Sequence, residues 1–107
     1  MKRRPFMERF QSRKRQIKAV AGVPWYTAET WAEVRAFALD AERFENSFAE
    51  WEAMAEESLE NLGKRGLHLV KIPMVPDVFR HWLEEHHEEN NASARAAYAA
   101  EKVKEVA

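Results

Sequence analysis

The chain has 107 residues, 46% of them hydrophobic and twelve of them aromatic, which places it outside the disordered class and gives one domain enough material for a core. It has no cysteine, so disulfides, thiolate metal sites and cysteine nucleophiles are excluded, and a reducing cytoplasm suits it. The formal charge of −1 hides an asymmetry: residues 1–18 carry eight Lys/Arg against one acid, while residues 19–107 carry nine against seventeen. A basic arm is attached to an acidic body.

The arm contains Lys2, Arg3, Arg4, Arg9, Arg13, Lys14, Arg15 and Lys18, interleaved with Phe6 and Phe10. Cations can neutralise phosphates while a ring stacks on a base, so these eight residues are the candidate nucleic-acid contacts. A solvated tail is the plainer alternative, because charge runs are usually wet. Phe6, Phe10 and Ile17 are spaced for a thin helical stripe, giving either a helix that orders on a partner or a frayed arm. The start does not turn apolar after Arg4 as a secretory signal would, although an Arg-rich, acid-poor opening also echoes an organelle transit peptide. No apolar run approaches the ~20 residues of a membrane span.

Gly22 and Pro24 punctuate the chain, and Val23-Pro24-Trp25-Tyr26 reads as an extended entry. Thr27 is placed to cap a helix over 28–39 carrying Trp31, Val34 and Ala38, with Glu29 in its first turn. Asp40 to Asn46 is a short acidic turn that brings Phe44 to the core. Ser47 and Glu50 form a capping box for a helix bearing Phe48, Trp51, Ala55, Leu59 and Leu62, with Gly63 expected as its left-handed C-terminal residue. After a turn at 64–66, Leu67 to Ile72 reads as a strand stopped by Pro73 and Pro76. Pro76 opens a helix over 76–89 with Val78, Phe79, Trp82, Leu83 and His86 on one face. Asn90-Asn91 breaks it, and Asn91 or Ser93 caps an Ala-rich helix to about Val106.

The expected fold is mostly α: a four-helix compact domain over 19–107 with one short strand or a two-stranded ribbon, preceded by the basic arm. A lone strand needs a partner for its backbone. Residues 19–25 could supply it, or a second subunit could.

His81, His86 and His87 with Glu84, Glu85, Glu88 and Glu89 are the one cluster with ligand chemistry. His81 and His86 are five residues apart, about 140° around a helix, so they diverge, and the order matches no zinc-hydrolase motif. A metal-dependent enzyme at His81, Glu84, Glu85 and His87 is the remote reading; a hydrated helix end, with His86 packed on Trp82, is the expected one, and no metal or cofactor is assigned. The serines lack a Gly-rich elbow and the glycines are isolated, so the sequence offers no positive case for an enzyme.

Three patterns, Val23-Pro24-Trp25-Tyr26, Phe48-Ala49-Glu50-Trp51 and Val70-Lys71-Ile72-Pro73 ahead of a Trp-bearing helix, together resemble a loose set of small uncharacterised bacterial proteins over residues 23–103. The resemblance points to a bacterial cytoplasm and, with no activity known for that set, carries nothing functional over. The expected role is a non-catalytic interaction module that self-associates or binds a protein partner. Its surface would comprise Trp25, Tyr26, Ala94, Ala97 and Tyr98, because the Ala-rich helix offers close packing but little burial of its own. The alternative is an accessory protein that binds nucleic acid through the arm.

Overall fold

The computed structural model describes residues 19–106, so the eight arm cations, Lys2 to Lys18, lie outside the described residues. The chain order is β1 (Ala19–Trp25), α1 (Ala28–Ala36), a 3-10 turn (Ala41–Arg43), α2 (Phe48–Lys64), β2 (Leu67–Pro73), α3 (Pro76–Glu85) and α4 (Ala92–Val106). It is a mostly α fold with a two-stranded sheet. The strands are parallel, in register from Ala19 opposite Leu67 to Trp25 opposite Pro73. The intrachain ribbon, one of the two pairings left open by the sequence, is the one formed, so β2 needs no second subunit for its partner.

Side chains alternate across a strand. Trp25 meets Trp51 of α2 edge to face, with ring centroids 5.0 Å apart. The opposite face, at Gly22, lies against α4. A Cβ added at Gly22 would run into the carbonyl of Ala99 and reach the Cβ of Val103 at 3.0 Å. The glycine therefore does more than punctuate: it lets a helix backbone seat directly on a strand. The ribbon is layered between α2 and α4, as a parallel pair requires.

Val34, Phe79 and Ala99 are fully buried, and Met74 nearly so. Phe79 stacks with Trp82 at 6.2 Å and meets Tyr98 edge to face at 5.2 Å. Full burial of a side chain such as Phe79 contributes about 1.5–3 kcal/mol.

Helix starts follow the expected chemistry. Thr27 Oγ1 accepts from the Thr30 amide (3.2 Å) while Thr30 Oγ1 accepts from the Thr27 amide (2.9 Å), a reciprocal box made by two threonines. Ser47 Oγ accepts from the Glu50 amide at 3.2 Å, though only this limb of the expected box is present among the described hydrogen bonds. Asn91, not Ser93, caps α4 through Oδ1 to the Ala94 amide (2.9 Å).

Helix ends depart from expectation. The helix expected to reach residue 39 stops at Ala36, where Asn90 Nδ2 donates to the Val34 carbonyl (2.9 Å) and the Leu39 amide donates to the Asn90 carbonyl (2.9 Å). These long-range bonds take up groups that further helix would have used. Gly63 stays inside α2; the left-handed residue is Gly66, with φ +93°. Helix α3 ends at Glu85, not 89, because His87 turns left-handed at φ 54°. The Glu88 amide then reaches the Leu83 carbonyl (2.9 Å) and the His87 amide the Glu84 carbonyl (3.3 Å), which is a Schellman closure without glycine.

Candidate functional site

Two places combine accessible chemistry with a defined geometry. The first is the free edge of β1. The Met74 amide donates to the Trp25 carbonyl at 2.9 Å, so the polar groups of Trp25 face β2. Alternation then turns those of Val23 and Ala21 inward, and those of Pro24, Gly22 and Val20 outward. Among the described residues, no hydrogen bond from another segment reaches the outward groups of Val20 and Gly22. Val20 is 48% exposed. Ala19 to Val23 carries no charge, whereas the outer edge of β2 carries Lys71, a common guard against strand addition. Pro24 and Pro73 close the C-terminal ends of both edges, since neither has an amide to offer.

The second place is a cavity of about 240 Å³, open to solvent, beside the start of α4. Its lining includes Tyr26, Phe44, Trp51, Met54 and Arg95, with Arg43 and Glu45 also present. Arg95 is buried, and its guanidinium is held from several sides. Nη1 donates to Asp40 Oδ1 (3.0 Å) and to Asn90 Oδ1 (2.7 Å), and Nη2 donates to Asp40 Oδ2 (2.7 Å). Its Cζ sits 4.7 Å from the centre of the Phe44 ring. The bidentate pair, with side chains 10% and 15% exposed, joins α4 to the turn after α1. Hydrogen bonding from Arg95 holds the Asp40 carboxyl below its ordinary pKa, outweighing the opposing effect of burial. Burial pushes the Tyr26 phenol up to about 12, with the Arg95 charge opposing and Asp40 adding to the rise.

The expected interaction surface is divided by the structure. Ala94 and Tyr98 are buried in the core, and Tyr26, also largely buried, meets solvent only through the cavity it lines. Tyr26 packs on Trp51, Tyr98 packs on Phe79 and Trp82 of α3, and α4 is seated on the ribbon at Gly22. Ala97 is exposed, and Trp25 is half-buried against Trp51 with Lys71 Nζ 4.4 Å from its ring centre. Of the five, Trp25 and Ala97 remain accessible outside the cavity.

Around the histidines, His81 and Glu85 approach to 3.4 Å on an exposed face. Glu84 and His87 do not share a helix, because α3 has ended. No group of three His, Asp or Glu side chains among the described residues gathers to hold a metal. His86 stacks on Trp82 at 4.1 Å, as the spacing predicts, with its Nδ1 2.8 Å from the Trp82 carbonyl. Trp82 Nε1 donates to Glu101 at 3.0 Å.

Sequence patterning does not group Asp40, Asn90 and Arg95. The available signal is Arg95 itself, one cation on the stripe Arg95-Tyr98-Ala99-Val103 of an otherwise small and apolar helix face. A long side chain in such a stripe needs a buried partner. Its partners lie 55 and five residues away, where no local periodicity marks them. No helix of the described residues is long and apolar enough to cross a membrane. Compared with protein-family models, with curated proteins and with solved structures, the chain finds no match.

Proposed function

We propose that the protein is a non-catalytic interaction module that self-associates through the free edge of β1. Two arguments from sequence fall away, since β2 has its strand partner and α4 is covered within the chain. What supports the proposal is the open, uncharged edge with the outward amides of Val20 and Gly22. An antiparallel copy centred on Ala21 would pair Val20 of one chain with Gly22 of the other, and the converse, extending the sheet from two strands to four about a two-fold axis. The pairing ends before Pro24 has to donate.

Sedimentation of the full chain across micromolar concentrations tests this. The expected result is a concentration-dependent dimer that Val20→Pro abolishes, because that amide faces outward and carries no bond among the described residues. A strict monomer at every concentration would sink the self-association.

The charge division of the sequence favours a second reading, nucleic-acid binding through Lys2, Arg3, Arg4, Arg9, Arg13, Lys14, Arg15 and Lys18. Were about seven phosphate contacts made, log affinity would fall against log salt with a slope near −6. Fluorescence anisotropy with generic DNA and RNA, on the full chain and on a chain starting at residue 19, separates the cases. Steep salt-sensitive binding lost on truncation supports the arm, and flat traces retire it.

A further inference from the structure

Arginine has five N–H donors arranged along its edges, and each edge can grip a carboxylate through two parallel hydrogen bonds. In Arg95 the end fork is spent. Both Nη1 hydrogens and one on Nη2 go to Asp40 and Asn90. What remains is the side fork, Nε–H and the second Nη2–H, which makes no hydrogen bond among the described residues. The Tyr26 hydroxyl is likewise unbonded among them, although Tyr26 is only 8% exposed. Neither Arg95 Nε nor the Tyr26 hydroxyl is a fully buried unpaired atom, and both side chains line the same cavity.

The guanidinium is also pre-organised. Asp40 and Asn90 hold its end and Phe44 covers one face, so a ligand would not have to order it. The remaining walls are apolar or aromatic, with Phe44, Trp51 and Met54 around a space of about 240 Å³. Trp51 meets Tyr26 edge to face at 5.1 Å, which fixes the phenol's direction. The volume suits a single ring with a short substituent and is too small for a dinucleotide or a peptide. Asp40 neutralises Arg95, and Arg43 and Glu45 offset each other, so an anion would be held by directed hydrogen bonds more than by net charge.

We infer that this cavity is a binding site for a small aromatic carboxylate, its carboxylate on the side fork of Arg95 and the Tyr26 hydroxyl, its ring against Trp51 and Phe44. Pro24, at the C-terminal end of β1, also lines the cavity, whereas Val20 and Gly22 do not.

The test uses the full chain and titrates benzoate into the millimolar range, following the Arg95 Nε–H and Trp51 indole N–H resonances by NMR. The expected result is a saturable downfield movement of the Arg95 signal with a parallel change at Trp51. Tyr26→Phe keeps the ring and should weaken binding about tenfold, as loss of a hydrogen bond to a charged group does. Benzamide, equal in shape but neutral, should bind at least as weakly to the wild-type chain. Unmoved Arg95 and Trp51 signals would overturn the assignment, and so would equal binding of benzamide and benzoate. Unchanged benzoate affinity in Tyr26→Phe would remove the phenol from the site and overturn the proposed geometry. The variant's dispersed amide spectrum guards against misreading a folding defect as lost binding.

Discussion

The two ends of the molecule solve the problem of backbone and charge in opposite ways. Around Asp40, Asn90 and Arg95, the main polar groups are turned inward and paired, and the neighbouring core at Phe79 and Val34 is fully buried. Along the ribbon the faces are covered by helices, but among the described residues the outer edges are left open and Val20 stands half exposed. A chain that completes a polar latch in one place and leaves an uncharged strand edge free in another has its stability concentrated in the first. The second is available for contact.

The sharpest way to break that contrast is at the latch. Asp40→Ala leaves the Arg95 guanidinium buried without its carboxylate and should cost about 3–5 kcal/mol in denaturant unfolding. The same pair sets the acid limb of stability. Asp40 has its pKa lowered in the folded state, so its contribution stands in full above the ordinary value of 3.8 and is lost as pH falls through the folded value. A pH series of melts on wild type and Asp40→Asn should show that limb in the first and not in the second.

Next in size is the seat of α4 on the ribbon. Gly22→Ala places a methyl against the backbone at Ala99, which cannot yield as a side-chain tip would, and should destabilise by about 2–3 kcal/mol. If it proves neutral, α4 does not bear directly on β1.

On the alkaline side, Tyr26 has its pKa raised from 10.0 to about 12 by burial. A group raised in the folded state stabilises fully below its unfolded pKa, and that contribution disappears as pH climbs through the folded one. About 2 kcal/mol should therefore be lost between pH 10 and 12. Melts of Tyr26→Phe over the same range should lack that component.

How much of this is legible in the sequence depends on the range of the interaction. Thr27, Ser47 and Pro76 mark helix starts, and Trp31, Trp51 and Trp82 fall on buried faces, because capping and periodicity are read within one or two turns. The pairing of 19–25 with 67–72 is one of two options that the sequence allows, and nothing local fixes its parallel direction. Helix ends fall short of their expected positions because what ends them is distant or conformationally costly: Asn90 reaching back to Val34, and His87 in a left-handed turn that glycine usually takes. The Asp40–Arg95 part of the cavity is invisible in the sequence, since its partners are 55 residues apart. The seating of Ala99 and Val103 on the ribbon follows from a close approach at Gly22 that composition alone does not signal.

His87 offers a smaller effect of opposite sign. His87→Gly relieves the left-handed strain in the Schellman turn and should raise stability by about 1 kcal/mol, read as an increase in denaturant midpoint. Smallest of all, Val20→Lys should leave the unfolding free energy of the monomer within about 0.5 kcal/mol while still abolishing association. A loss of stability as large as that of Gly22→Ala would mean that Val20 belongs to the core and not to an edge.

The most direct measurement is amide hydrogen exchange, residue by residue, at low and high protein concentration. Strand addition at β1 predicts that the Val20 and Gly22 amides gain protection as concentration rises, while Leu69 and Lys71 on the outer edge of β2 do not. Fast exchange of Val20 and Gly22 at every concentration would contradict it.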